Sequence, residues 1–444
     1  MSLHIYINIS THKCMIRKNM IISFDDTDSR SLGMCTTYLG ALLMDELKEY
    51  GKPSGLPLLI RLNPTIPFKT RGNAAVAIKI ETSEPERVKK HVIQRIEELA
   101  QMEDENTNPG VVFLENYNDE IKNVLAAFFK RTVQHVITIR QAKELIEKYK
   151  LDARGYKNGR GLIGALAGCG AMLEEKWDHT YEYLSYRQKE KWGTQRFVDE
   201  NSVIRADEAT YPNTWDNRDI ANKLVVCIPH SPDPVLYGIR GKTPEYVSHA
   251  ASMIEGEVTE RYAIYKTNQG TDMHLIPAES ISNLQDMESY IIQGFVASTP
   301  RTIEGGHTLF FFRDNEGEEM ECAAFEPTKN FRELIRKLIP GDNITLHGSF
   351  KNKTLNIEKI DVIELAEKYR KANPLCPVCK KRMKSTGKGQ GYRCRRCKTQ
   401  ADTATRSKVE RGIKTGMYEV PPCARRHLSM PLVRKRGKDT HPSR

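Results

Sequence analysis

Three carboxylates lie within four positions near the start of the chain, at Asp25, Asp26 and Asp28. They follow a short apolar run, residues 21–24, that is typical of a buried strand. Like charges this close repel one another unless a cation lies between them. Mg²⁺ is the usual cation, because it prefers carboxylate oxygen and brings nucleotide phosphates with it. The cluster predicts a metal–phosphate site, and a solvated acidic turn is the alternative.

Two threonines, Thr36 and Thr37, follow the acidic cluster. They begin an amphipathic pattern that predicts a helix over Tyr38–Tyr50, ending at Gly51. Backbone amides and the helix dipole favour an anion at a helix N-terminus. Thr36 is therefore a candidate site residue, and a plain N-cap is the alternative.

A glycine-rich segment holds Gly159, Arg160, Gly161 and Gly164. Its backbone amides and its arginine suit a phosphate, although a helix packed closely through small side chains gives the same pattern. The segment does not match the Walker-type motif, which excludes that class of NTPase. A second basic loop, residues 69–74, contributes Arg71 as a weaker candidate for phosphate binding.

Two polar loops, residues 230–241 and 268–275, each place a carboxylate near a histidine. Asp233 and Asp272 are the carboxylates. Such loops suit a cationic or proton-transferring substrate, and surface turns are the alternative reading.

Four cysteines form two CxxC pairs with fourteen residues between them. They are Cys376, Cys379, Cys394 and Cys397. Two such knuckles close a tetrahedral thiolate shell around Zn²⁺, and four thiolates leave no open position for catalysis. The sequence predicts a structural zinc ribbon, with a pair of redox motifs as the alternative.

The basic charge is concentrated at one end. Residues 371–444 carry 21 Lys and Arg against 4 Asp and Glu, although the net charge of the whole chain is only +11. This distribution indicates a polyanion-binding end on a nearly neutral body. The apolar runs are too short for a transmembrane helix. The six other cysteines are scattered, which favours free thiols and an intracellular, cytoplasmic location.

With 444 residues, the chain is long enough for three or four domains. Strand and helix patterns alternate over residues 20–115, and two helices are predicted over 119–131 and 141–150. Residues 288–365 predict three strands, one helix and two strands, which is the element order of an OB-fold barrel; an unrelated small β-barrel is the alternative, because element order alone does not fix topology. Phe310, Phe311 and Phe312 supply aromatics for base stacking there, although alternation buries at least one of them.

Taken in order, these segments resemble one family, the archaeal synthetases that make 2-agmatinylcytidine at the wobble position of the minor isoleucine tRNA. The resemblance rests on IISFDDTDS, GMCTTY, KTRGNAAVA, NGRGLIGALAG, TNQGTD followed by HL, the four cysteines and PPCARRHLSMPLVR. It runs from about residue 20 to residue 434, so we expect residues 1–19 to be an extension or an upstream start, with an extra strand at the sheet edge as the alternative.

The resemblance implies a multidomain α+β protein. We expect a kinase-like α/β domain over 20–135, a ferredoxin-like domain over 136–287, an OB-fold over 288–365, a zinc ribbon over 372–400 and a basic tail over 401–444. The boundary between the first two is uncertain, because the glycine-rich segment could belong to the kinase-like site.

The family's reaction is also implied. ATP activates C2 of the wobble cytidine by phosphorylation, and the amine of agmatine displaces the phosphate, with AMP and phosphates as products. Asp25, Asp26 and Asp28 then bind Mg²⁺-ATP, and Thr36 is the residue that the family's own kinase activity phosphorylates. The isoleucine tRNA and agmatine are the implied partners, without a membrane or an obligate protein partner.

Asp233 and Asp272 become candidates for the agmatine guanidinium, and Arg425 and Arg426 for tRNA. Two other functions stay open. One is a non-enzymatic single-stranded nucleic-acid-binding protein built on the OB-fold and the zinc ribbon. The other is an ATP-dependent enzyme acting on a small molecule.

Overall fold

The computed structural model describes residues 18–69, 72–174, 176–435 and 439–444. Residues 1–17 of the predicted extension lie outside the described residues, whereas Lys18 and Asn19 are the first two residues of a strand.

A ten-stranded sheet forms the front of the molecule, and its first six strands carry five helices. The strands are β1 (Lys18–Asp25), β2 (Gly51–Pro53), β3 (Leu58–Arg61), β4 (Ala74–Thr82), β5 (Gly110–Leu114) and β6 (Asp152–Gly155). The helices are α1 (Thr36–Glu46), α2 (Pro85–Leu99), α3 (Asp119–Gln134), α4 (Ile139–Tyr149) and α5 (Gly161–Leu173). The predicted helix over 38–50 is shorter than expected, because its last turn is a 3₁₀ helix and Gly51 begins β2.

β1 is the central strand of this half, and both of its faces are buried. Met20, Ile22 and Phe24 pack in the core under α1 and α2, while Ile21 packs in the core formed by α3 and α5. Successive side chains of a strand point to opposite faces, so a strand covered on both sides reads as one continuous apolar run. Because the run ends at Asp25, the acidic loop leaves the sheet between the two helical layers.

The sheet continues through a second set of strands and two helices. They are β7 (Thr180–Arg187), β8 (Thr214–Trp215), β11 (Val235–Gly241), β12 (Thr259–Thr267), α6 (Glu200–Thr210) and α7 (Pro244–Ser252), with a separate hairpin of β9 (Arg218–Asp219) and β10 (Leu224–Val225). The strand order is β6-β5-β1-β4-β3-β12-β7-β11-β8, with β2 beside β4. Among the described residues of this sheet, only β3 and β12 pair in parallel, and this pairing joins the two halves into one sheet.

Five strands close a barrel behind the sheet. The strands around it are β13 (Leu275–Ala278), β14 (Glu288–Val296), β15 (Arg301–Thr302), β16 (Thr308–Asp314), β17 (Glu319–Ala324), β18 (Asn343–Lys351) and β19 (Thr354–Glu364), with α8 (Phe331–Ile335) between β17 and β18. β14, β16, β17, β19 and β18 pair in that order, and β18 pairs back with β14. The predicted order of strands and helix is confirmed, and it yields a closed five-stranded barrel.

The four-cysteine segment stands at the end of a two-stranded arm. β20 (Tyr369–Ala372) and β24 (Thr405–Lys408) form the arm, and the short strands β21 (Lys384–Ser385), β22 (Tyr392–Arg393) and β23 (Gln400–Ala401) lie between them. Arg411 fixes the return of the arm to the barrel, since its Nη2 lies 2.7 Å from Oδ2 of the fully buried Asp342.

The chain then returns to the front of the molecule. β25 (Gly416–Glu419) adds to the barrel strand β19, and β26 (Thr440–His441) pairs with β25. Residues 420–435, which we call the C-terminal strap, run between the barrel and the sheet. The backbone N–H of Gly270 donates to the carbonyl of His427 over 2.7 Å, and that of Asp272 donates to Leu428 over 2.8 Å. Much of the predicted basic tail is therefore packed against the body.

Among the described residues, no helix is both long enough and apolar enough to cross a membrane.

Candidate functional site

A cavity of about 350 Å³ lies where the acidic loop meets the N-termini of α1 and α5. Asp25, Asp26 and Asp28 line it together with Thr36 and Arg160. These residues come from two segments more than 120 positions apart in the sequence. The sheet therefore brings the acidic cluster and the glycine-rich segment into one site.

Asp26 and Arg160 form the central ion pair. Arg160 Nε lies 2.9 Å from Asp26 Oδ2, and its Nη2 lies 3.0 Å from Oδ1, so the contact is bidentate. The backbone N–H of Asn108 also donates to Asp26 Oδ2. Asp26 has a φ of 62°, in the left-handed region that aspartate and asparagine tolerate better than most residues. This turn directs the carboxylate towards the N-terminus of α5.

Burial makes the carboxylates poor anions in the absence of a cation. Desolvation, opposed mainly by Arg160, raises the pKa of Asp26 to about 7. Burial, together with the charge of Asp26, raises the pKa of Asp25 well above its ordinary value. Carboxylates in this state gain from a hard divalent cation, whose charge offsets both the burial and the mutual repulsion. Their oxygens are the ligands that such a cation prefers.

Thr36 is the first residue of α1, and it is buried. Its Oγ1 lies 3.0 Å from Oγ1 of Thr27, in the acidic loop. The N-cap residue, Cys35, makes no side-chain capping bond to the first turn of α1. Amides at this end of the helix are available to an anion beside the acidic cluster.

The glycines of α5 allow the helix to approach β1 closely. A Cβ on Gly164 would overlap Oδ2 of Asp25, and one on Gly161 would lie 2.7 Å from the Asp25 carbonyl oxygen. Gly159 has a φ of 79°, as the turn before the helix requires. Close packing, which the sequence left open, accounts for Gly161 and Gly164, and their phosphate contact stays a prediction. Arg71 lies outside the described residues.

The two agmatine candidates have different surroundings. Asp233 lines the cavity, and its Oδ1 accepts from the backbone N–H of Val235 over 2.8 Å and lies 3.3 Å from Arg196 Nη2. Asp272 lines neither this cavity nor the neighbouring cleft. Its Oδ1 lies 2.5 Å from Lys359 Nζ and accepts from the backbone N–H of Met430 over 2.6 Å. Asp272 therefore holds the C-terminal strap in place.

The far wall of the cavity carries buried charges that the sequence did not single out. Glu182 Oε1 lies 3.1 Å from Arg240 Nε, and Arg61 lies 3.8 Å from the other Glu182 oxygen. Arg240 also reaches Asp216 and His427. These residues come from separate strands and from the strap, so no local spacing pattern could reveal them. Two of them lie in segments that sequence reasoning marked: Arg240 in the loop over 230–241, and His427 in the PPCARRHLSMPLVR segment.

A cleft of about 1090 Å³ lies next to the cavity, between the sheet and the barrel. Five cations line it, and none of its described lining residues is a carboxylate. The cations are Arg30, Arg61, Lys69, Lys351 and Arg426. The cavity is different, since six carboxylates and four Lys or Arg side chains line it. A carboxylate-rich lining and a cationic lining therefore meet where the two spaces join.

The two strap arginines that were predicted to contact RNA do not share one environment. Arg426 lines the cleft. Arg425 has only 2% of its side chain exposed, and it pairs with Asp216 and with Glu419, whose Oε1 lies 2.9 Å from Arg425 Nη2. Its guanidinium is directed into the protein, where it fixes the strap.

Of the three barrel phenylalanines, Phe310 and Phe312 are buried and Phe311 is exposed. Alternation along β16 therefore buries two of the three phenylalanines, in agreement with the prediction that at least one would be buried. The guanidinium carbon of Arg301 lies 5.8 Å from the centre of the Phe311 ring.

The sulfurs of Cys376, Cys379, Cys394 and Cys397 all lie within 4.8 Å of one another. Tetrahedral Zn²⁺ with Zn–S bonds of ~2.3 Å separates its sulfurs by ~3.8 Å. The four thiols therefore fit a zinc ion without a change of backbone.

Fold and site together define a multidomain α+β protein with a closed barrel, a zinc ribbon and an acidic cavity beside a cationic cleft. Three family models match the chain: the TiaS TCKD domain over residues 21–158, the TiaS FLD domain over 159–274 and the TiaS C-terminal zinc ribbon domain over 373–413. The chain belongs to the TiaS family.

Relatives and solved structures agree with this assignment. The isoleucine-tRNA 2-agmatinylcytidine synthetase TiaS of Methanosarcina mazei is 58% identical over 95% of this chain and 98% of its own length. A crystal structure of TiaS in complex with its isoleucine tRNA and ATP matches with a TM-score of 0.88 at 46% identity, covering 96% of this chain and 100% of the other. A complex of TiaS with the same tRNA, AMPCPP and agmatine matches with a TM-score of 0.85 at 44% identity, with the same coverage. The resemblance that the sequence motifs indicated is confirmed.

Proposed function

We infer that this protein is an ATP-dependent synthetase that attaches agmatine to C2 of the wobble cytidine of the minor isoleucine tRNA. The carrying observation is the junction of a cavity rich in carboxylates with a cleft whose described charged side chains are all cations. A polyanion is attracted to the cleft, whereas a small cation and a metal–nucleotide complex suit the cavity. A single-stranded RNA-binding protein without catalysis would have no use for the buried carboxylates.

The chemistry requires activation, because the C2 carbonyl oxygen of cytosine is a poor leaving group. We propose that this oxygen accepts a phosphoryl group from ATP. The primary amine of agmatine then attacks C2, the C2–O bond breaks, and the oxygen departs with the phosphate. This single transfer leaves ADP. To give AMP and two phosphates, a second phosphoryl group must leave the nucleotide, by transfer to Thr36 and then from the threonine to water.

Asp25, Asp26 and Asp28 are the proposed ligands of Mg²⁺-ATP, and Arg160 orients Asp26 through its bidentate contact. Bound Mg²⁺ supplies charge neutralisation for the phosphates. Support comes from the raised pKa values of Asp25 and Asp26, which a cation would lower.

Thr36 is the proposed acceptor of autophosphorylation. Its support is its position at the first turn of α1 beside the acidic loop. The domain assignments follow the same resemblance: a kinase-like unit and a ferredoxin-like unit share the sheet, and the barrel is an OB-fold.

Agmatine carries two positive charges, and the cavity has a surplus of carboxylates to offset them. Asp233 is the proposed partner of its guanidinium, because this carboxylate lies on the cavity wall. We do not assign Asp272 to this role, because it lines neither space and its Oδ1 already contacts Lys359 and the strap.

The activity is tested by incubating the protein with ATP, Mg²⁺, agmatine and the minor isoleucine tRNA, followed by mass analysis of the digested nucleosides. The expected product is cytidine that has gained the mass of agmatine less one water, and only when ATP is present. RNA binding without this product would favour the non-enzymatic alternative.

The role of the cleft is tested by the salt dependence of tRNA binding. Arg426→Ala and Lys351→Ala should each lower the salt slope by ~1, because each removes one phosphate contact. Lys48→Ala, a change of an exposed lysine just after α1, is the matched control. Slopes equal to that of the control would place the RNA outside the cleft.

A further inference from the structure

His427 stands where the cavity and the cleft join, and it lines both. The strap delivers it there, since the His427 carbonyl accepts from Gly270 and the next residue is held by the loop at Asp272. A nucleotide that passes from the cleft to the acidic cavity must therefore pass this imidazole.

The hydrogen bond from Arg240 fixes the tautomer of His427. Arg240 Nη2 lies 2.8 Å from His427 Nδ1, and a guanidinium has donors only, so Nδ1 must accept. A neutral imidazole whose Nδ1 accepts carries its proton on Nε2. Burial and the charges of Arg61, Arg240 and Lys69 hold the pKa of His427 well below its ordinary value, which keeps the ring neutral.

The Nε2–H group lies beside Gly72. A Cβ added to Gly72, a residue that also lines both spaces, would lie 3.4 Å from Nε2. No described residue accepts a hydrogen bond from this atom. The strap thus presents a fixed donor, unable to become an acceptor, at the entrance to the cavity.

We propose that His427 is a specificity-determining residue whose Nε2–H donates to N3 of the wobble cytosine. N3 is an acceptor in cytosine, whereas uracil has a donor, N3–H, at the same position. A site that presents a fixed donor accepts cytosine and leaves two donors facing each other with uracil. This inference rests on the proposed function, because the base must leave its stack to reach the cavity.

A double-mutant cycle tests the contact. The dissociation constant is measured for wild-type protein and His427→Phe, each with the minor isoleucine tRNA carrying cytidine or 3-deazacytidine at the wobble position, in the presence of a non-hydrolysable ATP analogue. 3-Deazacytidine replaces N3 with C–H and keeps the other polar groups of the base.

Each single change should weaken binding roughly three- to tenfold, which is the effect of losing one hydrogen bond. When both changes are combined, tRNA should bind no more weakly than with either change alone, because both changes remove the same contact. Additive losses would overturn the proposal. His135→Phe is the matched control, because it makes the same change at another histidine of the cavity, one whose Nδ1 lies 2.8 Å from Glu288 Oε1. The loss of affinity that it causes should add to the loss caused by 3-deazacytidine.

A second variant separates specificity from folding. In His427→Gln, the amide can present either a donor or an acceptor, so the preference for cytidine over uridine tRNA should shrink while cytidine tRNA still binds. An unchanged preference would contradict the proposal. Failure of the proposed function is distinguishable, since wild-type protein would then form no agmatinylcytidine, whatever the cycle shows.

Discussion

Asp26→Asn should stabilise the protein while abolishing its activity. Burial raises the pKa of Asp26 from 3.8 to about 7, so the folded protein binds more protons than the unfolded chain between these values. Stability therefore falls as the pH rises through this window. At ~1.4 kcal/mol per pKa unit, the titration of Asp26 lowers the free energy of unfolding by about 4 kcal/mol at pH 8 and by about 2 kcal/mol at pH 5, relative to a pH below 3.8, where the side chain is protonated in both states.

Asparagine removes this cost, because it is neutral in both states and tolerates the left-handed φ of 62° at this position. Its Oδ1 can still accept one hydrogen bond from Arg160. We expect the melting temperature of the variant to exceed that of the wild type by several degrees at pH 8, and by about half as much at pH 5.

Thermal unfolding should be followed in buffers without Mg²⁺ and without a chelator, so that zinc stays bound. Asp45→Asn is the control, since Asp45 is more than half exposed on α1 and its change should have little effect. Added Mg²⁺ should stabilise the wild type more than the variant and so reduce the difference between their melting temperatures. The reasoning would be refuted if the variant melted at or below the wild-type temperature at pH 8. It would also be refuted if the increase in melting temperature were the same at both pH values.

Three further predictions concern packing and the zinc ribbon. Gly164→Ala should abolish nucleotide binding, because the new Cβ overlaps the Asp25 carboxylate. Gly412→Ala is the control: its new Cβ would lie 3.9 Å from the nearest atoms, so this variant should bind nucleotide normally in the same titration. Arg411→Ala should lower the free energy of urea unfolding by about 3 kcal/mol or more, because the substitution leaves the charge of Asp342 buried and unpaired. Lys408→Ala is the control: it breaks a surface ion pair, so the free energy of unfolding should change by less than about 1 kcal/mol. Cys394→Ser should release zinc and lower the salt slope of tRNA binding without changing agmatine affinity, and a lower agmatine affinity would mean that the ribbon supports the cavity.

The sequence predicted those parts of the molecule that depend on neighbouring residues. The acidic cluster after a buried run, the cysteine spacing and the order of strands in the barrel are local patterns, and the structure contains each of them. The glycines of α5 were ambiguous because phosphate binding and close packing require the same small residues. The structure resolves the ambiguity in favour of packing, because Gly161 and Gly164 both approach Asp25 closely.

Charges that pair across the fold could not be predicted. Arg425 counted towards the basic tail, yet its partners are Asp216, far away in the sequence, and Glu419. Net charge records how many cations a segment carries, and it does not record which of them face solvent. The same limit hid Glu182 and Arg240, which lie in separate strands and meet only after the sheet has formed.

The path of the chain also decides how the RNA-binding modules can be separated from the cavity. Zinc ribbon and strap are neighbours in sequence, but the ribbon stands on the arm of β20 and β24, whereas the strap forms part of the cavity wall through His427. Deleting residues 371–444 would therefore remove the ribbon, β25 and the cavity wall together, and a loss of activity would not identify the cause. Deleting only residues 373–404 removes the ribbon and keeps Arg411 on Asp342. The shortened protein should then be assayed on free cytidine in place of tRNA. If it still modifies cytidine, the ribbon serves tRNA binding alone.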